Sequence, residues 1–377
     1  MAIEVQRYPS KGVDPLQQPS PEEEITVELP EEMNIQGENT AEFQISPDGE
    51  LTPVAMSEET IMTEHNVNLT EVLDEAQLDE ISSELCSQYE EDKQSREEWL
   101  ETFSDGLDLL GIKSEEREQP FPGASGVTHP LLAEAATQFQ AQAYKELLPS
   151  NGPVKTRTVG LENSETMAQC ARVKEFMNYQ ITEVMQEYDP DMDSLLFYLP
   201  LAGSAFKKVY FDSLLNRATA SFVKAEDLVV SYDTTNLETS PRITHVINMT
   251  GNDIRKMQIN GTFRDISIGE PAEIDYDEAK EKMDELQGIS KPSSDYNEYR
   301  LLEIHVNLEL DGIDEFDYAV PYIVTILEDS GKILSMRRNW NLNDELFRKK
   351  EYFIHYKFLP GLGFYGFGLI HMIGGLT

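Results

Sequence analysis

The sequence predicts a mixed α+β protein with an acidic N-terminal arm, and three observations carry that reading. Between about residues 97 and 200, apolar residues recur at helical spacing. From Phe206 onward, apolar and β-branched residues gather into short runs separated by turn signals. Residues 1–90 do neither, and they hold 22 acidic side chains against two basic ones, Arg7 and Lys11, for a net charge of −20. A stretch so charged and so rich in Pro, Gln, Ser and Glu buries too little apolar surface to offset the entropy of ordering it. Residues 1–80 are therefore expected to be a disordered or loosely attached arm, whose short apolar pieces such as Ile25-Thr26-Val27 can still pair with something, for example on a partner.

The elements follow in order. Trp99, Phe103, Leu107 and Leu110 share one helical face, and Gly111 supplies a stop. After the loop at 119–126, Leu132, Ala135, Ala136, Phe139, Ala143 and Leu147 mark a second helix, ended by Pro149 and the Ser150-Asn151-Gly152-Pro153 cluster. Residues 154–159 read as a strand. Val173, Met177, Ile181, Val184 and Tyr188 mark a third helix, broken by Asp189-Pro190-Asp191, which caps a fourth carrying Leu195, Leu196 and Leu199. Residues 206–211 and 219–223 predict a hairpin turning at Asn216. A strand at 243–249, a short helix at 252–257 and a charged helix or linker at 273–287 come next. Strands are expected at 299–310, 319–328 and 331–338, with turns at Gly312 and Ser330-Gly331, and a last strand at 352–358.

The domain reading is a disordered arm over 1–80, an α+β body over 81–272 and a charged linker over 273–295. A strand-rich segment over 296–340 and a return into the body over 341–377 complete it.

Charge and composition exclude several classes. The net charge is −40, which argues against a protein that coats nucleic acid or an anionic membrane. No apolar run reaches 18 residues and the first 30 residues lack the basic and apolar regions of a leader, so a soluble protein made inside the cell is expected. Cys86 and Cys170 are too few for a disulfide framework.

Candidate chemistry is sparse. Gly361-Leu362-Gly363-Phe364-Tyr365-Gly366 matches G-x-G-x-x-G, but a dinucleotide site needs the glycines to open a helix with an acid about 20 residues on. The aromatic residues favour a packed junction instead, in which Gly361, Gly363, Gly366 and Gly368 adopt positive φ or lie close to a neighbour. Asp189-Pro190-Asp191-Met192-Asp193 departs from a calcium loop at Ser194 and Pro200. The six histidines show no metal-ligand spacing. No cofactor, no metal site and no enzymatic activity are expected. Arg337, Arg338, Arg348, Lys349 and Lys350 fall within 14 residues around Trp340. Such a cluster suits a nucleic-acid backbone or an acidic partner. Its interruption by Asp344 and Glu345 favours a solvated face that pairs with acids on a neighbouring subunit.

Three segments carry a resemblance. The first runs Glu118-Gln119-Pro120-Phe121-Pro122-Gly123-Ala124, then Pro130-Leu131-Leu132-Ala133-Glu134-Ala135, Glu146-Leu147-Leu148-Pro149 and Gly152-Pro153-Val154. The second is Pro241-Arg242-Ile243-Thr244-His245, after Tyr232-Asp233-Thr234-Thr235. The third runs from Phe353-Ile354-His355-Tyr356-Lys357-Phe358-Leu359-Pro360 into Gly363-Phe364-Tyr365-Gly366-Phe367-Gly368-Leu369. In order and spacing these resemble the portal proteins (head-to-tail connectors) of tailed bacteriophages, of the large kind found in short-tailed phages.

The resemblance implies a virion protein at one capsid vertex, a ring of about twelve subunits through which double-stranded DNA passes without sequence specificity. The implied partners are further copies of the chain, the terminase, head-completion proteins and the capsid. It makes residues 90–270 mostly wing, 273–295 stem-like and 296–340 clip-like. Portals of this kind continue beyond the point where this chain stops in the apolar run 368–377, so a shortened chain is expected. The rival readings are an acidic oligomeric scaffold or adaptor without a pore and, more remotely, an enzyme.

Overall fold

The computed structural model describes residues 43–45, 51–53, 65–110, 130–212, 215–271, 278–286, 288, 298–310, 313, 316 and 318–373. The chain divides into two units, residues 1–55 and 56–377. In the first, β1 (Phe43–Ile45) pairs antiparallel with β2 (Leu51–Pro53), with Gln44 opposite Thr52. The second unit is mixed α+β, as expected.

Helix α1 (Glu75–Ser95) follows a short turn at Leu69–Glu71, and α2 (Glu97–Leu107) runs into a 3-10 turn at Asp108–Leu110. Helix α3 (Leu131–Leu147) places Leu132 and Ala136 in the core. Helix α4 (Ser164–Tyr179) is capped by Asn163, whose side chain accepts from the Thr166 N–H at 2.7 Å. Helix α5 (Tyr188–Ala202) ends at Gly203, whose φ of 87° only glycine adopts cheaply.

Strands β3 (Ser204–Asp212) and β4 (Arg217–Val223) form the expected hairpin, turning through Asn216 at φ 48°. Strand β10 (Phe353–Lys357) adds to the other edge of β3, making a three-stranded antiparallel sheet. The second sheet is a five-stranded antiparallel meander of β5 (Leu228–Val229), β6 (Arg242–Thr250), β7 (Glu298–Leu308), β8 (Val320–Leu327) and β9 (Lys332–Arg338). Helix α6 (Gly251–Ile259) links β6 onward, and α7 (Glu278–Leu286) and α8 (Leu369–Ile373) complete the unit.

Strand alternation divides the core. On β7, Leu302, Ile304 and Val306 face one way, packing with Leu78, Leu85 and Tyr89 of α1. Tyr299 and Leu301 face the other way, towards Ile254 of α6. A third cluster joins α2, α3 and α5 to the three-stranded sheet through Trp99, Phe103, Leu132, Leu195, Phe206 and Phe364.

Several expectations change. Residues 65–80 belong to the fold rather than to an arm. Leu69, Leu73 and Leu78 are buried, and Asn68 donates to the Leu334 carbonyl at 3.1 Å and accepts from the Met336 N–H at 2.9 Å. The rest of the expected arm, apart from β1 and β2, lies outside the described residues, as do Gly111, Gly312 and the loop 119–126.

Residues 154–159 are extended but join no sheet. Two of them bond to α4: the Val154 N–H donates to Asn178 Oδ1 at 2.9 Å, and Thr156 Oγ1 donates to the Cys170 carbonyl at 3.0 Å. The expected third helix stops at Tyr179, and a wider π turn, Gln180–Val184, separates it from α5. On α3, Phe139 is half-buried and Leu147 is exposed, because the core touches only the helix's first two turns fully. Residues 296–340 supply β7 to β9 of the meander, and β7 pairs with β6 along the full length of β6, so this segment shares one sheet with the preceding body. Within 273–295 the described part is α7 and Gly288, and Ala279 of α7 is buried in the cluster that holds α2.

Candidate functional site

Two polar clusters and one backbone junction organise the second unit. The junction lies where β10 leads towards α8. A side chain at Gly366 would meet the carbonyl oxygens of Gly203 and Leu359, one at Gly368 would meet the backbone of Leu201 and Gly203, and one at Gly363 would meet the Tyr232 ring. At Gly361 the obstacle is the Tyr365 carbonyl. None of the four has positive φ; that conformation belongs to Gly203 across the contact. Close backbone approach is thus the reason for these glycines. The helix that follows, α8, is a single five-residue stretch beginning only after Gly368, and the backbone and rings crowd against the glycines themselves.

Tyr365 connects this junction to a buried arginine. Arg96, between α1 and α2, is 1% exposed. Its Nη1 donates to the carbonyls of Ala225 at 2.6 Å and Leu228 at 3.2 Å and to Tyr365 Oη at 3.1 Å, and its Nη2 donates to the Glu226 carbonyl at 2.6 Å. Tyr365 Oη also donates to the Leu228 carbonyl at 2.9 Å and accepts from the Val230 N–H at 3.2 Å. Trp99 stacks on the Tyr365 ring at 4.5 Å. Tyr198 Oη donates to Glu226 Oε2 at 2.5 Å and accepts from the Ala225 N–H at 3.1 Å. Burial pushes the Glu226 carboxyl above its usual range and raises Tyr198 well above its own. The arrangement fixes the 224–230 segment against α1, α2 and α5.

The second cluster lies between the two sheets. Lys208 of β3 donates to both oxygens of Glu303 on β7, at 2.6 and 2.8 Å. His305 Nε2 lies 3.0 Å from Glu303 Oε1, and His245 sits opposite Glu303 in the β6–β7 register. Phe353 of β10 packs edge-on against both histidines, at 5.5 and 5.2 Å. Burial alone would raise the Glu303 carboxyl. The Lys208 charge and the His305 hydrogen bond outweigh it and hold that carboxyl well below the carboxylate range. Burial, reinforced by Lys208, pulls His245 down to about 3, and burial lowers His305 as well despite Glu303. At neutral pH both histidines are uncharged and one ion pair bridges the sheets.

The basic residues singled out in the sequence do not form one face. Arg337 Nη2 donates to the Thr262 carbonyl at 3.2 Å, and burial lowers its pKa. Arg338 and Trp340 are buried, Trp340 lying edge-on to Tyr322 and Phe347. Arg348 is exposed and paired with Asp344, Nε to Oδ2 at 2.9 Å. Lys349 Nζ donates to the carbonyls of Leu237 at 2.8 Å and Glu238 at 3.2 Å, and Lys350 is half-buried. Arg337, Arg348 and Lys349 are thus each committed to a different neighbour.

The acids of the calcium-like run serve as local acceptors. Asp189 accepts from Tyr144 Oη at 2.6 Å, Asp191 from the Phe222 N–H at 2.7 Å and Asp193 from Gln140 at 2.8 Å. Among the described residues no group of three or more His, Cys, Asp or Glu is placed to hold a metal ion, and no helix is long and apolar enough to cross a membrane. The clusters around Arg96 and Glu303 escaped sequence reasoning because their members come from distant parts of the chain. The one local signal was Glu303-x-His305, two residues on the same face of a strand. No known family model and no curated protein matches this chain.

Proposed function

We propose that the chain is a structural subunit of a phage portal ring, a conduit for packaging and ejecting double-stranded DNA and a docking point for terminase and head-completion proteins. The observation that carries this reading is the order and spacing of the three portal-like segments. The third of them, residues 353–369, supplies β10, the glycine junction and Tyr365, which tie the second unit together. A segment spent on scaffolding suits a structural protein. The charge suits a conduit, because every phosphate neutralised by a lysine or arginine adds affinity and would slow sliding DNA, and a chain of net charge −40 avoids that. Arg337, Arg348 and Lys349 are engaged within the chain, which also fits a surface that DNA passes without adhering. Negative-stain imaging of the purified full-length product tests the reading. Closed rings of about twelvefold symmetry are expected. A population of monomers or open filaments would refute it.

A further inference from the structure

Helix α4 differs from every other long helix of the second unit: none of its sixteen residues is buried. Met167 is 59% exposed, Phe176 62% and Tyr179 56%, with Val173 and Met177 also open to solvent. The extended approach to the helix adds Val159 and Leu161, both almost fully exposed. An isolated helix of this length is marginal in water, and most helical stability comes from packing an apolar face. A contiguous exposed apolar patch marks an interaction surface.

The charge on this segment indicates the partner. Residues 153–179 hold four basic side chains, Lys155, Arg157, Arg172 and Lys174, against three acidic ones, a net of +1 in a chain of −40. The same chain carries a complementary surface. A groove of about 620 Å³ between α1, α2 and α7 has Leu100 and Ala279 in its lining, with five acids, Glu90, Glu91, Glu97, Glu101 and Glu278, and one cation, Lys93, around them. No residue of α4 lines that groove.

We propose that α4, with its approach segment 154–163, is a self-association surface that seats on the acidic groove of a second copy of this chain. The contact is head-to-tail, since the two patches differ, and repeated head-to-tail contacts close into rings or run on as filaments. The inference stands on the helix and the groove, not on the conduit reading.

The test uses the full chain in sedimentation velocity, with three variants at solvent-exposed or groove positions and circular dichroism to verify folding. These are Phe176→Asp with Met177→Asp, Arg157→Glu with Arg172→Glu, and Glu97→Lys with Glu101→Lys. The wild type is expected to associate at tens of micromolar, and each variant to sediment mainly as monomer with unchanged melting. Mixing the two charge-reversed variants should restore association, because each supplies the patch the other lacks. A monomeric wild type, or unimpaired assembly of the Phe176→Asp, Met177→Asp variant, would overturn the proposal. Failure of the mixture to associate would overturn the groove as the partner surface. Rings in wild type and all variants alike would sink this inference while sustaining the conduit reading. Filaments or pairs that vanish in the variants would sustain the inference while removing the conduit.

Discussion

Gly366 shows how little room the junction leaves. A side chain there collides with two carbonyl oxygens, those of Gly203 and Leu359, and neither is the free end of a flexible group. Gly366→Val should destabilise the second unit by about 1–3 kcal/mol or more, in line with overpacking of a filled core. Urea unfolding of the two proteins checks this, with no binding of a labelled dinucleotide expected from either. Tyr365→Phe removes a single oxygen that serves Arg96, Val230 and Leu228, so it should cost about 1–3 kcal/mol through the groups left buried and unpaired. His245 sets a pH dependence. Its folded pKa of about 3 lies below its ordinary value of 6.5, so between those pH values the unfolded chain binds a proton that the folded chain refuses. Stability therefore falls as pH drops from 6.5 towards 3, by at most about 1.4 kcal/mol per pH unit for this one group. Glu303 acts in the same direction, because its lowered pKa stabilises the fold above the usual carboxylate range and that contribution fades on acidification. His245→Gln should lose less stability than wild type between pH 6.5 and 4.5, read from urea midpoints at several pH values.

Helix α3 separates sequence periodicity from burial. Its apolar stripe continues to Leu147, yet only Leu132 and Ala136 are fully buried. Phe139 is half-buried, meeting Phe358 edge-to-face at 5.3 Å. Leu132→Ala should therefore cost about 2–5 kcal/mol. Phe139→Ala should cost less than the roughly 3–5 kcal/mol of a fully buried phenylalanine. Thermal melts of both variants test the ranking, and equal losses would contradict the burial. Helix α4 extends the point: Val173 and Met177, read from the sequence as part of a helical face, are both exposed, and none of its residues is buried within one copy of the chain.

For the whole molecule, part of the acidic N-terminal stretch belongs to the core. Residues 65–80 hold Leu69, Leu73 and Leu78 in the core beside β9, and Ser82 of α1 donates to the Gly331 carbonyl in the β8–β9 turn. Deleting residues 1–80 should lower the melting temperature well below that of a protein lacking only residues 1–55. Each of the three buried leucines contributes about 1.5–3 kcal/mol. At about 2–4 °C per kcal/mol for a unit of this size, the gap is on the order of 10 °C or more. Differential scanning calorimetry of the two truncated proteins measures it. Equal melting temperatures would return residues 65–80 to the arm.

Local chemistry determined the mixed α+β class, the β3–β4 hairpin at Asn216, the β8–β9 turn at Gly331 and the helices led by Trp99 and Leu195. Periodicity and turn residues act over a few positions, so a sequence shows them directly. The crowded role of the glycines at 361–368 was legible too, from the aromatic residues between them. Tertiary structure alone decided that β10 pairs with β3, about 150 residues away, and that β6 and β7 share a ladder across an expected boundary. It also decided that Lys208, Glu303 and two histidines meet between the sheets, and that an acidic stretch with three leucines packs while α4 buries none of its residues. Those outcomes depend on which surfaces remain to be covered once the sheets have formed, and no window of neighbouring residues contains that information.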